Sequence, residues 1–334
     1  MTEAHAAECR NIGEARALWY EAPHAAAIRA ALLPERGADD ILVRTRFTAL
    51  SRGTERLVFT GLCDPAHRIT MRAPLQEGDF PFPVKYGYCA VGQVEAGPAD
   101  LMGRTVFVLH PHQDRFVAPL SLASLVPDGV PARRATLAAN METALNAVWD
   151  SGASAGDRMV VVGAGLVGLL IAFLCARMPG AQVSVIDPEP ARAPLLDAFG
   201  ARWMPEAEGP SEADVVFHTS ASADGLQAAL GCCGPEARLV EVSWYGDRPV
   251  SVKLGGAFHA RRIQIVSSQV GTFAPARLPR WTHARRRAMA LALLKDDRLD
   301  ALITEEVAFG DLPAALGRLL APGAPGIATV VRYD

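Results

Sequence analysis

Gly163, Gly165 and Gly168 stand in the run VVVGAGLVG at the spacing G-x-G-x-x-G. They follow a β-branched run and open an apolar helical one. In that setting the first glycine permits a tight turn and the second lets a pyrophosphate approach the backbone. The third lets helix and strand pack closely. The helix N-terminus adds free N–H groups and partial positive charge. With Ala164, Leu166 and Val167 the glycines form a candidate dinucleotide cradle. Asp187 ends the next predicted strand, 19 residues after Gly168, where a carboxylate can accept from a ribose 2′-hydroxyl. A 2′-phosphate there would meet repulsion on the order of 4 kcal/mol at intermediate dielectric. NAD is therefore expected as cofactor, and NADP less so. Arg192 is expected at the adenine or on the helix face.

Other reactive groups are scattered. The stretch YGYCAVG (86–92) carries a phenol, Tyr88, and a thiol, Cys89. A phenol with its ordinary pKa of about 10 is protonated at neutral pH and can donate a hydrogen bond. Cys89 has no basic neighbour in sequence to activate it and reads as a small buried residue. His110 and His112 in LHPHQD are two apart, so on a strand they share a side. With Glu142 or Asp114 they could bind a metal, but no third ligand is evident, and a substrate-lining or exposed position is expected instead. The Arg285-Arg286-Arg287 run reads as a solvated helix face. Cys9, Cys63, Cys89, Cys175, Cys232 and Cys233 form no C-x-x-C pair. Free thiols in a reducing cytoplasm are the expectation.

Two kinds of element must position these groups. Up to about residue 132 the chain reads as short strands broken by turns, among them 15–23, 40–50, 84–97 and 104–110. That pattern predicts an antiparallel, barrel-like unit. A helical stretch, ARRATLAANMETALNAVWDSG, follows. Strands at 157–163, 181–187, 213–220, 237–244 and 262–270 then alternate with helices from about Gly165, Arg192, Gly225 and Leu254. Repeated β-α units with apolar strands predict an α/β fold with a doubly wound parallel sheet. Thr219 and Ser220 (in HTSAS) and Trp244 and Tyr245 (in SWYG) fall at strand ends, where such folds bind cofactors. After Pro279 come a helix and a last strand, GIATVVRYD, expected to return to the first unit.

Composition bounds the function. The 334 residues are half hydrophobic and 21% charged, with net charge −3. This is the profile of a soluble chain of about two domains, without a nucleic-acid partner. Met159 to Ala176 is uncharged. Its glycine cluster fits a strand, a turn and a buried helix better than a membrane span. The first twenty residues lack the basic start and apolar core of a signal peptide.

The order of a β-rich unit, a helix, a Rossmann unit and a C-terminal return resembles the medium-chain dehydrogenase/reductase superfamily, the zinc alcohol dehydrogenase type, over nearly the whole chain. ALSRGTERLVFTG (49–61), YGYCAVGQV and METALNAV (141–148) are similar to that family's first-ligand, Gly-His-Glu and nicotinamide-contacting segments. The resemblance implies a GroES-like catalytic domain over 1–147 with 275–334 and a Rossmann NAD-binding domain over 148–274. It also implies a cytoplasmic homodimer joined through the last sheet strand, SSQVG (267–271). Position by position, the metal ligands of the family correspond to Ser51, Tyr88 with Cys89 beside it, and about Ala139 with Asn140 next to it. These residue types do not make a zinc site, so a zinc-lacking branch is implied. SRGTERLVFTG and GGAFHARRIQI are similar to segments of the bacteriochlorophyllide hydroxyethyl dehydrogenases, without that substrate being implied.

The activity implied is hydride exchange between NAD and the alcohol or carbonyl of a small-molecule substrate. Without a Lewis acid, oriented donors must hold the reacting oxygen. Tyr88 is the first candidate, with Ser51 and Thr143 as further donors and Thr143 also at the nicotinamide. Glu55 could orient or relay a proton, although a surface pairing with Arg52 or Arg56 is the expected place for it. Arg52 corresponds to a residue that meets the pyrophosphate. A quinone or enoyl reductase, or a non-catalytic NAD-binding module, are the alternatives.

Overall fold

The computed structural model describes residues 15–63, 65–205 and 212–334. Cys9 and the other residues before 15 lie outside the described residues.

Six strands form one parallel sheet. In space they run Arg202–Met204, Gln182–Ile186, Arg158–Val162, Ala213–His218, Cys233–Glu241 and Gln264–Ser267. Counted along the chain, the order is 3-2-1-4-5-6, which reverses beside the first strand and opens a crevice at the carboxyl ends. The first strand, RMVVV, is buried on both faces, which is why it reads as a continuous apolar run. The next helix, Leu166–Cys175, is apolar all round because it packs between the sheet and the helix Ala138–Ser151. Among the described residues no helix is long and apolar enough to cross a membrane.

The remaining strands form a mixed sheet and a smaller one. The mixed sheet runs Ile303–Ala308, Ala328–Arg332, Asp40–Leu50, Ala90–Ala96, Thr105–Val108 and Ala123–Leu125, with Arg115–Pro119 also on Asp40–Leu50. The last strand does return, pairing antiparallel with Asp40–Leu50. Its parallel pairing with Ile303–Ala308 departs from the antiparallel expectation. The smaller sheet holds Ala25–Ala31, Ala15–Ala22, Val84–Lys85 and Glu77–Gly78.

Several elements differ from the sequence pattern. The strand expected at 237–244 spans Cys233–Glu241, leaving Trp244 and Tyr245 in the loop beyond its end. The strand expected at 262–270 stops at Ser267, so most of SSQVG lies past it. The helix expected from Leu254 is one turn, Ala257–Ala260. Arg202–Met204 is too short to show a period, and the alanine-rich Ala25–Ala31 is a strand only through its hairpin with Ala15–Ala22.

The arginine run on the helix His283–Leu293 is not a solvated face. Arg286 and Arg287 are buried. Arg286 Nε donates to Glu142 at 3.0 Å, and its other nitrogens donate to Asn146 and to the carbonyls of Val270 and Thr272. An exposed-looking charge run is thus the tie that fixes the helix Ala138–Ser151 from behind.

Candidate active site

A cleft of about 820 Å³ lies between the parallel sheet and the β-rich part. Its first wall is backbone. Gly163 turns with φ +106°, and a Cβ on Gly168 would fall 1.9 Å from the Gly163 carbonyl oxygen. Around Gly165 the space is open, and no side chain caps the first N–H groups of the helix Leu166–Cys175. Ala164, Leu166 and Val167 line the cleft with these glycines. Thr219 braces the turn, its hydroxyl donating to Gly163 O at 2.8 Å. Asp187 lines the same end. Its carboxylate accepts from Ala164 N at 2.6 Å and Glu189 N at 2.9 Å. Arg192 reaches across to the carbonyl of Gly326 at 2.8 Å, while its Nε is buried without a partner. Open space, uncapped donors, a carboxylate and an orphaned guanidinium nitrogen fit a dinucleotide. Those residues are the ones that would hold it.

Ser220 also faces the cleft. Its hydroxyl is 2.7 Å from His218 Nε2, and His218 Nδ1 is 2.8 Å from Glu241. Tyr245 donates to the same carboxylate at 3.1 Å. This chain fixes the loops at two strand ends, and the sequence pattern gave no sign of it. Trp244 lines the cleft nearby, whereas Tyr245 turns back to Glu241.

The second wall is made of side chains from distant segments. Ser51 precedes the helix Arg52–Thr60, Tyr88 precedes the strand Ala90–Ala96, and Asn140 and Thr143 share one face of the helix Ala138–Ser151. All four line the cleft. Burial pushes the Tyr88 phenol above its ordinary pKa, against the pull of the Ser51 and Thr54 hydroxyls. Thr143 donates to Ala139 O at 3.1 Å. Asn140 Nδ2 lies 3.5 Å from Ser51 Oγ, and its buried Oδ1 has no partner. Sequence comparison placed Asn140 only beside the third ligand position; its spacing of three from Thr143 on a helix is the signal for a shared face. Cys89 is fully buried, away from the lining, and burial pushes its thiol well up.

Glu55 is not an exposed partner of Arg52 or Arg56. It is fully buried and accepts from Ser51 N and Tyr20 Oη at 2.7 Å each, and lies 3.0 Å from His112 Nε2. It stands behind Ser51, outside the cleft lining. Arg52 lines the cleft and donates to the carbonyls of Ala324 and Pro325.

His110 and His112 are neither exposed nor substrate-lining, and the segment holding them is not a strand. His110 stacks on Phe116 with centroids 3.8 Å apart, and His112 Nδ1 is 2.6 Å from Thr48 Oγ1. The acids considered with them are engaged elsewhere, Glu142 by Arg286 and Asp114 by Arg16. Among the described residues no group of three or more His, Cys, Asp or Glu side chains is placed to hold a metal ion.

The fold, a parallel sheet of Rossmann order beside a β-rich unit, is shared with solved dehydrogenases. The crystal structure of L-idonate 5-dehydrogenase from Escherichia coli K-12 MG1655 superposes with TM-score 0.78 at 14% identity, covering 96% of this chain and 99% of that one. A protein described as a short chain alcohol dehydrogenase from Escherichia coli CFT073, complexed with NADH, superposes with TM-score 0.75 at 16% identity over 96% and 100%. In sequence the chain is similar to D-guloside 3-dehydrogenase of Escherichia coli K12, 26% identical over 314 residues, 83% of this chain and 87% of that protein. It is also similar to 2-dehydro-3-deoxy-L-galactonate 5-dehydrogenase of Pseudoalteromonas atlantica, 28% identical over 135 residues. That match spans 37% of this chain and only 39% of the relative's length. No family model matches the chain.

Proposed function

We propose that this chain is a nicotinamide-dependent dehydrogenase that interconverts an alcohol and a carbonyl on a small-molecule substrate without a catalytic zinc. One observation carries the reading: the glycine cradle and the cluster of Ser51, Tyr88, Asn140 and Thr143 face each other across one cleft. The similar proteins of known name are dehydrogenases of alcohols and sugars, which supports this chemistry over quinone or alkene reduction.

When bound, the nicotinamide accepts or returns a hydride. The chain's own groups manage the reacting oxygen. Tyr88 keeps its proton because burial raises the phenol's pKa, so it acts as a hydrogen-bond donor to developing negative charge. The unpaired Asn140 Oδ1 accepts a hydrogen bond from the substrate hydroxyl, and the proton that the hydroxyl loses on oxidation passes to water in the cleft, from which it returns on reduction. Ser51, its backbone fixed by Glu55, completes the polar side. The choice of Ser51, Tyr88 and Asn140 at this place supports the zinc-independent reading, because zinc requires nitrogen, thiolate or carboxylate ligands. Asp187 favours NAD over NADP through charge repulsion. The sheet's outer strand, with Ile265 exposed, suits edge-to-edge dimerisation. Five buried free thiols among the described residues suit a reducing cytoplasm.

The test is NADH formation at 340 nm from a panel of polyols and sugar alcohols, run on protein freed of metal by chelation and assayed for zinc content. Turnover by the zinc-free protein is the expected result. Activity that appears only on restoring stoichiometric zinc would overturn the metal-free part. Tight NADH binding with no turnover of any alcohol, carbonyl or quinone would overturn the catalytic part.

A further inference from the structure

The cleft is lined by four arginines, Arg52, Arg56, Arg192 and Arg248, and by one acid, Asp187. Elsewhere several arginines of this protein find carboxylates, as Arg177 does with Asp296 and Arg115 with Glu95. The four in the cleft do not. Among the described residues their guanidiniums are held by backbone carbonyls alone: Arg52 by 324 and 325, Arg56 by 320 and 321, Arg192 by 326, and Arg248 by 245. The carboxylate of Asp187 is engaged by two backbone N–H groups.

These charges form a row. Arg192 shares the adenosine end with Asp187, and Arg52 and Arg56 stand one helical turn apart on Arg52–Thr60, on the same face. The loop carrying Arg248 is pressed on the far end of that helix. At Gly246, with φ +70°, a Cβ would lie 2.2 Å from the Leu62 carbonyl oxygen and 3.3 Å from a Leu57 methyl. Burial, and then mutual repulsion, lowers the Arg52 and Arg56 pKa values; Arg52 feels Arg56 and Arg192, and Arg56 feels Arg248. A bound dinucleotide would bring its own negative charge to the end of the cleft that holds Arg192 and Arg52. Arg56 and Arg248 remain, beyond the cradle and next to the apolar wall of Leu57, Leu62 and Trp244.

We propose that the substrate carries an anionic head, a carboxylate or a phosphate, received by Arg56 and Arg248, while its carbinol carbon rests at Ser51, Tyr88 and Asn140. An anion within reach of the half-buried Arg56 and the exposed Arg248 gains charge-assisted hydrogen bonds that a neutral polyol cannot make. This rests on the dehydrogenase reading above, since that reading places the carbinol end.

The experiment is calorimetric titration of the full-length, NAD⁺-saturated protein with matched probes. These are L-idonate against L-iditol and galactitol 1-phosphate against galactitol. With NAD⁺ bound, the cofactor's phosphates already fill their own place. At least one anion is expected to bind roughly tenfold or more tighter than its neutral partner, and the pair with the larger ratio tells carboxylate from phosphate. The Arg56→Gln and Arg248→Gln variants should each reduce that ratio severalfold while leaving NADH affinity unchanged. Arg248→Gln alters an exposed loop residue and keeps the test open if Arg56→Gln fails to fold. Equal affinity for charged and neutral partners, no binding of either anion up to about 10 mM, or a ratio unmoved in Arg248→Gln overturns the proposal. Turnover of neutral polyols with no preference for anions would remove this inference and leave the dehydrogenase reading standing. Anion binding without any NADH formation would do the reverse.

Discussion

The two walls of the cleft are built differently. The glycine wall is one contiguous turn, in which the backbone of residues 163–168 is exposed by the lack of side chains and braced by Thr219. The opposite wall borrows one or two side chains from each of three segments, and it depends on buried polar groups behind it, Glu55, His112 and Glu142. The first wall fails by steric intrusion. The second fails when a buried charge or donor loses its partner.

The sharpest way to break the first wall alone is Gly168→Val. Its Cβ would meet the Gly163 carbonyl at 1.9 Å, so NADH affinity by fluorescence titration should fall at least roughly a thousandfold. The β-rich side should keep its fold by circular dichroism. Retained affinity would mean that the turn relaxes and the comparison is misdrawn.

Arg286→Met attacks the support that the second wall takes from the helix Ala138–Ser151. It strands the buried Glu142 carboxylate, at a cost of about 3–5 kcal/mol in urea unfolding. Adding Glu142→Leu should recover part of that loss, because removing both charges also removes the desolvation penalty.

His110 makes the β-rich side sensitive to acid. Burial pushes its imidazole down to about 3, while in the unfolded chain it titrates near 6.5. Between those values the unfolded state takes up a proton that the folded state refuses. Stability present above pH 6.5 is therefore lost as pH falls, by about 1.4 kcal/mol per unit. From pH 6.5 to 4.5 the His110→Gln variant should lose about 2–3 kcal/mol less than the parent. Parallel curves for the two proteins would place the acid sensitivity elsewhere.

Tyr88→Phe is the mildest change and isolates the second wall's chemistry. Turnover should drop at least about tenfold with NADH affinity unchanged. Unaltered kinetics would remove the phenol from the reaction.

How legible each wall is follows from the same difference. The turn at Gly163, Gly165 and Gly168 and the place of Asp187 just after the next strand are read directly, because both are local. Tyr88, Ser51 and Thr143 line the cleft as expected, yet nothing local distinguishes Tyr88 from the buried Tyr86 two residues before it. Glu55 and Arg286 look like surface charges in sequence, since charged residues adjoin them and the side chains of His112 and Glu142 that meet them stand 57 and 144 residues away. His110 and His112 share a spacing that suggests a site, but the chain there is not a strand and the rings turn inward.

By itself, the sequence determined the apolar strands that alternate with helices in the parallel sheet, and the glycine turn after the first of them. Each rests on periodicity or on backbone freedom within a few residues. Only the tertiary structure decided which charges are buried, which polar groups stand behind the cleft and which arginines remain unpaired inside it. Burial and pairing are set by segments that meet through the fold, and the desolvation that gives those groups their character does not exist until they meet.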